Sequence, residues 1–92
     1  MAKVIITLKI MPASPDTDLD KLEHEVKKHI EHFAGEGDMK VEINPIAFGL
    51  KELRILFVAD ESKGGTDSLE EEIGKLEDVN SVEVVDVRRA IG

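Results

Sequence analysis

The sequence predicts a two-layer α+β domain, in which a four-stranded antiparallel sheet is covered on one face by two helices. Four short segments carry apolar residues at alternating or consecutive positions, which is typical of strands. Two further segments carry apolar residues at every third or fourth position, which is typical of amphipathic helices. The length of 92 residues and the absence of cysteine fit a core that needs no disulfide bridge. We therefore expect residues 1–92 to form a single domain.

The first strand and the first helix are predicted in the N-terminal third of the chain. Residues 3–11 alternate between two partly apolar faces, which predicts a central strand, and Pro12 ends it. Residues 18–34 place apolar side chains at spacings of three and four, which predicts a helix with one buried stripe. This stripe consists of Leu19, Leu22, Val26, Ile30 and Phe33.

The second and third strands are predicted on either side of a short connection. Residues 39–44 alternate apolar with polar side chains, which favours a strand at the edge of the sheet. Residues 53–59 are almost continuously apolar, which favours a strand in the sheet interior. Pro45 and Gly49 bracket a bend between them, because proline donates no ladder hydrogen bond and glycine relaxes the backbone. Phe48 lies in this bend.

The second helix and the fourth strand complete the pattern. Leu69, Ile73 and Leu76 define a narrow apolar stripe on the helix. Residues 79–87 form the last strand, where the apolar positions change parity near Val84, and this change predicts a β-bulge. The order strand, helix, strand, strand, helix, strand, with both helices on the same face of the sheet, is that of the ferredoxin-like βαββαβ sandwich.

The helix ends are predicted from capping residues. Asp16 and Thr17 are candidate N-caps of the first helix, and Gly35 is a candidate stop signal. Asp67 is followed by Glu70 three positions later, which predicts a capping box at the start of the second helix.

Charge and hydropathy patterns exclude several classes of protein. The 20 acidic residues against 12 basic ones give a formal net charge of −8, which repels the phosphates of nucleic acids. The central strands also lack the glycine-aromatic pattern of RNA-recognition modules. The apolar block at residues 4–10 is too short for a membrane span or a signal sequence. We expect a soluble cytoplasmic protein that binds neither nucleic acid nor a membrane.

Motifs for catalysis and metal binding are missing from the sequence. His24, His29 and His32 lie on the polar side of the first helix without HExxH spacing, so we interpret them as surface histidines. Gly64 and Gly65 do not begin a phosphate-binding GxxxxGKS/T loop, and no serine follows the pattern of a nucleophile elbow. We expect neither an enzyme nor a metal or other cofactor.

Phe48 has two interpretations. It is one of three aromatic residues in a chain of which 35% is charged. A phenylalanine in a bend is either exposed for contact with a partner or covers the core of its own domain. The residues alone favour neither interpretation.

The C-terminal half of the chain resembles a known family. Five segments carry the resemblance: residues 46–53 (IAFGLKEL), the third strand at 53–59, the acidic pair Asp60-Glu61, the helix start at 67–71 and the strand at 80–89. Together they resemble the guanine-nucleotide exchange domain of translation elongation factor 1-beta, and the compact length is similar to that of the archaeal form. This family is ferredoxin-like. Residues 1–43 agree with it in the order of elements.

The resemblance implies a protein that binds elongation factor 1-alpha in its GDP form and accelerates GDP release so that GTP can bind. In this family, an aromatic residue in the bend between the second and third strands packs against the G domain of the partner, and Phe48 matches it. A lysine near the C-terminus enters the magnesium-binding region of the partner, and Arg89 is aligned with it. Arginine departs from the family pattern, because a guanidinium is planar and bulkier than an ammonium group. Arg88 is the alternative source of this charge.

The predicted partner-binding residues are Phe48, Gly49, Lys51, Arg88 and Arg89. We expect Phe48 and Arg89 to lie at one end of the domain, and the free chain to be a monomer.

Two alternatives belong to other classes of protein. The first is a dimeric ferredoxin-like regulatory domain that binds a small anionic ligand near Gly64 and Gly65. The second is an enzyme of the acylphosphatase type, but the loop after the first strand, residues 11–14, contains no arginine to hold a phosphate.

Overall fold

The chain folds in the order β-α-β-β-α-β, which confirms the predicted ferredoxin-like architecture. The computed structural model describes residues 2–90, except for the side chain of Lys63. Its elements are β1 (Lys3–Pro12), α1 (Leu19–Ala34), β2 (Met39–Pro45), β3 (Lys51–Asp60), α2 (Asp67–Gly74) and β4 (Val79–Ala90), with single turns of 3-10 helix at Ala47–Gly49 and Glu61–Lys63. The strands form one antiparallel sheet in the order β2-β3-β1-β4. β1 and β3 are therefore central and β2 lies at an edge, as predicted.

The hydrophobic core lies between the helices and one face of the sheet. β1 and β3 bury apolar side chains of one parity, and each helix buries a single stripe. These side chains are Ile6, Leu8 and Ile10 of β1, Leu53, Ile55, Phe57 and Ala59 of β3, Leu22, Val26 and Ile30 of α1, and Leu69 and Ile73 of α2. Because the two central strands bury their apolar side chains on one face only, both helices pack on that face. We call the opposite face the open face.

The N-cap of α1 is Asp18, so the prediction of Asp16 or Thr17 is wrong. The carboxylate of Asp18 accepts hydrogen bonds from the backbone N–H groups of Asp20 and Lys21, at 3.1 and 3.2 Å. Asp16 and Thr17 instead belong to the preceding turn, where the N–H of Thr17 donates to the carbonyl of Ser14 at 3.2 Å. A cap must lie next to the first helical residue, and the apolar stripe alone locates that residue only to within a turn.

The start of α2 also differs from the prediction. Thr66 occupies the N-cap position and Asp67 is the first helical residue, so the capping box of Asp67 with Glu70 does not form. The hydroxyl of Thr66 donates to the carboxylate of Glu70 at 3.2 Å instead. Asp67 and Glu70 both lie in the first turn, where a negative charge is favourable beside the free N–H groups.

A β-bulge in β4 determines which faces the last side chains occupy. The register of β4 against β1 shifts between Val84 and Asp86, which leaves Val85 as the extra residue. This confirms the bulge predicted near Val84. Beyond it, the alternation of the strand places Arg89 on the helix-covered face and Arg88 on the open face.

We predict that Asp18→Ala lowers the free energy of unfolding by about 1 kcal/mol, because two N–H groups at the start of α1 lose their acceptor. Asp16→Ala is the matched control: it removes a carboxylate outside the helix and should change stability by less than about 0.5 kcal/mol. Urea denaturation of the two variants measures the difference. Equal losses would contradict the position of the cap.

Candidate interaction sites at the two ends of the sheet

A tight connection between β2 and β3 presents Phe48 at one end of the sheet. The backbone N–H of Ile46 donates to the carbonyl of Leu50 at 2.8 Å, and the N–H of Leu50 donates to the carbonyl of Ala47 at 3.3 Å. These bonds close a bend in which Phe48 and Gly49 both adopt left-handed conformations, with φ of 63° and 75°. Glycine tolerates this conformation, whereas for phenylalanine it costs roughly 1 kcal/mol or more.

The side chain of Phe48 points into solvent, with 93% of its surface exposed. The interpretation of Phe48 as a lid on its own core is therefore wrong. Exposure of an aromatic ring and a strained backbone are each unfavourable for an isolated domain. A residue that combines them is a candidate for contact with another molecule.

Lys51 lies close to this bend. It is the first residue of β3, is exposed, and pairs with Pro45 across the hairpin. With Pro12, Asp18 and other residues before and at the start of α1, it lines an open cleft of about 310 Å³. Lys51 thus places a cation near Phe48 and Gly49, and the role of these three residues in binding a partner stays a prediction.

Arg88 and Arg89 lie near the end of β4 and on opposite faces of the sheet. Arg88 is on the open face, where its Nε lies 2.8 Å from an oxygen of Asp86. Arg89 is on the helix-covered face, where its Nη2 donates to both carboxylate oxygens of Glu61, at 2.9 and 3.1 Å. Both guanidinium groups are largely exposed and both are paired with an acidic side chain.

Phe48 and Arg89 lie at opposite ends of the sheet, so the expectation that they share one end is wrong. Arg89 is opposite Val4 at the start of β1, whereas the Phe48 bend leads into the part of β3 beside the end of β1. Ala59 of β3 is level with Arg89, because both pair with Val4 of β1. From Lys51, beside the bend, to Ala59 the strand spans roughly 26 Å at about 3.3 Å per residue. The domain is 42 Å long in its longest dimension.

Glu61 is a residue of this second end to which sequence reasoning gave no role. Its backbone N–H donates to the carbonyl of Ala2 at 2.9 Å, and the carboxylate of Asp60 accepts from the N–H of Ser62 at 2.9 Å. The hydrogen bond from the Ser62 backbone holds the pKa of Asp60 below its usual value. Glu61 and Arg89 are 28 residues apart, so no local spacing in the sequence could have paired them.

Residues 5–90 match the family model of the EF-1 guanine nucleotide exchange domain. The chain belongs to this family. It is 46% identical over 90 residues to elongation factor 1-beta of Methanobrevibacter smithii, with 97% of this chain and 98% of that protein covered. It is 42% identical over 89 residues to elongation factor 1-beta of Methanothermobacter thermautotrophicus, with the same coverage.

The EF-1 exchange domain shares its fold with proteins of unrelated sequence. A de novo designed protein, Foldit4, superposes with a TM-score of 0.61 at 18% identity, covering 98% of both chains. Such a likeness indicates the fold alone. The family match supports guanine-nucleotide exchange on elongation factor 1-alpha as the function, and it disfavours the ligand-binding regulatory domain considered from the sequence.

The histidines of α1 do not form a common site in this exchange domain. Nδ1 of His29 lies 3.4 Å from a carboxylate oxygen of Glu72 on α2, whereas His24 and His32 are exposed. Within the part of the chain that the structure describes, no three acidic or histidine side chains converge on a point where they could hold a metal ion. Across the same residues, neither helix has the length and hydropathy of a membrane span.

We predict that Phe48→Asn stabilises the free exchange domain by roughly 0.5–1 kcal/mol. Asparagine tolerates the left-handed conformation better than phenylalanine, and the exposed ring contributes little burial to lose. Phe48→Leu is the control, because it keeps an apolar side chain and the backbone strain. Thermal unfolding should show a rise of about 2–8 °C for the asparagine variant. A melting temperature at or below that of the parent would contradict the claim that the left-handed backbone of Phe48 is strained.

We predict that Asp60→Asn makes stability less dependent on acid pH. The pKa of Asp60 is lowered in the folded chain, so the stability gained from its ionised form is present above the unfolded pKa and is lost as pH falls through the folded pKa. Between about pH 5 and pH 2 the parent should therefore lose more stability than the variant. Urea denaturation across this range measures how the free energy of unfolding depends on pH in both proteins. Equal dependence would contradict the claim that the Ser62 hydrogen bond stabilises ionised Asp60.

Proposed function

We propose that this chain exchanges guanine nucleotide on elongation factor 1-alpha by contacting its partner at both ends of the sheet. Phe48, with Gly49 and Lys51, forms one contact, and Arg89 forms the other. The observation that carries the proposal is the exposed, strained phenylalanine, since among the described residues 2–90 its side chain is packed against almost nothing. The family match supplies the identity of the partner.

The Phe48 end is suited to anchoring the partner. A phenylalanine ring that enters an apolar pocket buries a large surface, and aromatic anchors of this kind supply much of the energy of protein interfaces. The bend is held by two backbone hydrogen bonds, so little conformational entropy is lost when the ring is bound. Lys51 adds a cation beside the ring, which favours an acidic rim on the partner.

The Arg89 end is suited to weakening the binding of nucleotide. A guanidinium group placed beside the phosphates of GDP offers the positive charge that Mg²⁺ otherwise supplies, so it competes for the same electrostatic field. Arg89 faces the helix-covered side and Arg88 the open side, so a single pocket on the partner receives only one of them. We propose that Arg89 enters the magnesium-binding region of the partner and that Arg88 contacts the partner outside this region.

Two contacts that are far apart on a rigid sheet give the exchange factor a means to change the shape of its partner. If the factor fits the nucleotide-free conformation best, it lowers the affinity for GDP by the same free energy by which GDP lowers the affinity for the factor. This linkage needs no covalent step and no bound cofactor. We place the activity in the cytoplasm, where translation takes place, and propose that the chain acts as a monomer.

We predict that Phe48→Ala and Arg89→Ala both slow the release of a fluorescent GDP analogue from elongation factor 1-alpha. Loss of the apolar anchor should cost about 2 kcal/mol or more, which lowers kcat/KM about 30-fold. Loss of the charged contact should cost about 1.5–3 kcal/mol, which lowers kcat/KM at least tenfold. The analogue is loaded on the partner and its release is followed with excess unlabelled GDP.

Matched controls separate these effects from general loss of surface. Val58→Ala removes an exposed apolar side chain from the open face. Lys75→Ala removes a cation that is as exposed as Arg89 and is also paired with a carboxylate. Both controls should retain nearly full exchange activity. Parent-like activity in the Phe48 and Arg89 variants would refute the proposed contacts, and an inactive parent chain would refute the exchange function.

A further inference from the structure

We infer that Glu61 is a positioning residue, which holds the guanidinium of Arg89 in the free chain and must release it when the partner binds. The inference rests on the proposed role of Arg89 in exchange. It adds a competing carboxylate within the exchange factor itself, a role that neither the family match nor the sequence motifs assign to Glu61.

The contact between Arg89 and Glu61 is specific in its geometry. One guanidinium nitrogen, Nη2, donates to both carboxylate oxygens, at 2.9 and 3.1 Å. Arg88 has a different partner, Asp86, on the other face of the sheet. Glu61 therefore acts on the arginine that is assigned to the magnesium region and not on its neighbour.

The position of Glu61 is fixed by the backbone around it. Glu61 lies directly after β3 and its N–H donates to the carbonyl of Ala2, while Arg89 pairs with Val4 on the other side of β1. The ion pair thus crosses over the N-terminal end of β1 and joins the two strands that flank it. The turn that follows is held by the bond from the Ser62 N–H to the Asp60 carboxylate, which keeps the Glu61 backbone in place.

Because the ion pair between Arg89 and Glu61 is exposed, a contact with the partner can replace it. The side chains of Arg89 and Glu61 are 71% and 46% exposed, so water and salt screen their attraction. Exposed ion pairs of this kind shift an equilibrium by about 1.4- to 5-fold. A partner that presents phosphate oxygens in a less hydrated pocket binds the guanidinium more strongly than Glu61 does, so the arginine transfers to the partner.

The carboxylate of Glu61 opposes binding in two ways. It engages Nη2 of Arg89 and so holds the guanidinium away from the partner, and it brings a negative charge toward an anionic site. A purely structural ion pair would behave differently, because its loss would lower stability and would not improve exchange. The sign of the change in activity therefore distinguishes a positioning role from a structural one.

The test compares the 92-residue chain with its Glu61→Gln variant, which keeps the shape of the side chain and removes its charge. We expect kcat/KM for GDP release from elongation factor 1-alpha to rise about two- to fivefold, mostly through a lower KM for the exchange factor. The gain should shrink as salt is raised, because the competing contact is electrostatic. An unchanged or lower kcat/KM would overturn the inference.

Two further variants locate the effect. Glu83→Gln removes the same charge from the open face of β4, where Glu83 pairs with Lys9, and should give no comparable gain. Glu61→Gln in the Arg89→Ala background should also give no gain, because the arginine that it releases is absent. A gain that persists without Arg89 would mean that Glu61 repels the partner directly, and it would refute the positioning role.

A measurement on the free chain separates failure of this inference from failure of the proposed function. In ¹⁵N NMR spectra, the Arg89 guanidinium signals of the parent should shift on Glu61→Gln while those of Arg88 stay in place. If the parent does not accelerate GDP release, the proposed function is wrong, whatever the spectra show. If the parent accelerates release but Arg89 signals do not respond to Glu61→Gln, only the role of Glu61 is refuted.

Discussion

The pairing of β1 with both β3 and β4 is the interaction on which the rest of the structure depends. β1 buries Ile6, Leu8 and Ile10 under both helices, and its hydrogen bonds set the register of the strands on either side. Because both pairings are antiparallel, the end of β4 must lie at the start of β1, and the hairpin before β3 must lie at the opposite end. The separation of the two candidate contacts follows directly from this register.

A well-packed core allows the domain to keep an unfavourable feature at its surface. The left-handed conformation of Phe48 costs roughly 1 kcal/mol or more, and its ring is almost fully exposed. That cost is a noticeable fraction of the few kcal/mol by which a small domain is stable. The adjacent hairpin bonds and the buried β3 hold the bend in place. The backbone of the strained residue is thereby held in one conformation, which suits the contact that we propose for Phe48.

A largely buried ion pair and a largely exposed one have different consequences on this sheet. Glu52 is largely buried and its carboxylate lies 2.6 Å from Nε of Arg54, and this bond raises the pKa of the arginine. Such a pair is costly to break, because the Glu52 carboxylate would be left poorly solvated. Arg89 and Glu61 are much more exposed, so solvent compensates readily when they separate. This ease of separation is what the proposed transfer of Arg89 from Glu61 to the partner requires.

The sequence by itself determined the element order, the central and edge strands, the bulge near Val84 and the family, because periodicity and local motifs carry this information. It located Phe48 in a bend but could not decide whether the ring was exposed, since burial depends on what packs against it. The predicted N-caps of both helices were wrong by one or two residues, because an apolar stripe does not mark the first helical residue. Only the tertiary structure placed Glu61 beside Arg89, since a contact across 28 residues depends on strand register and not on sequence spacing.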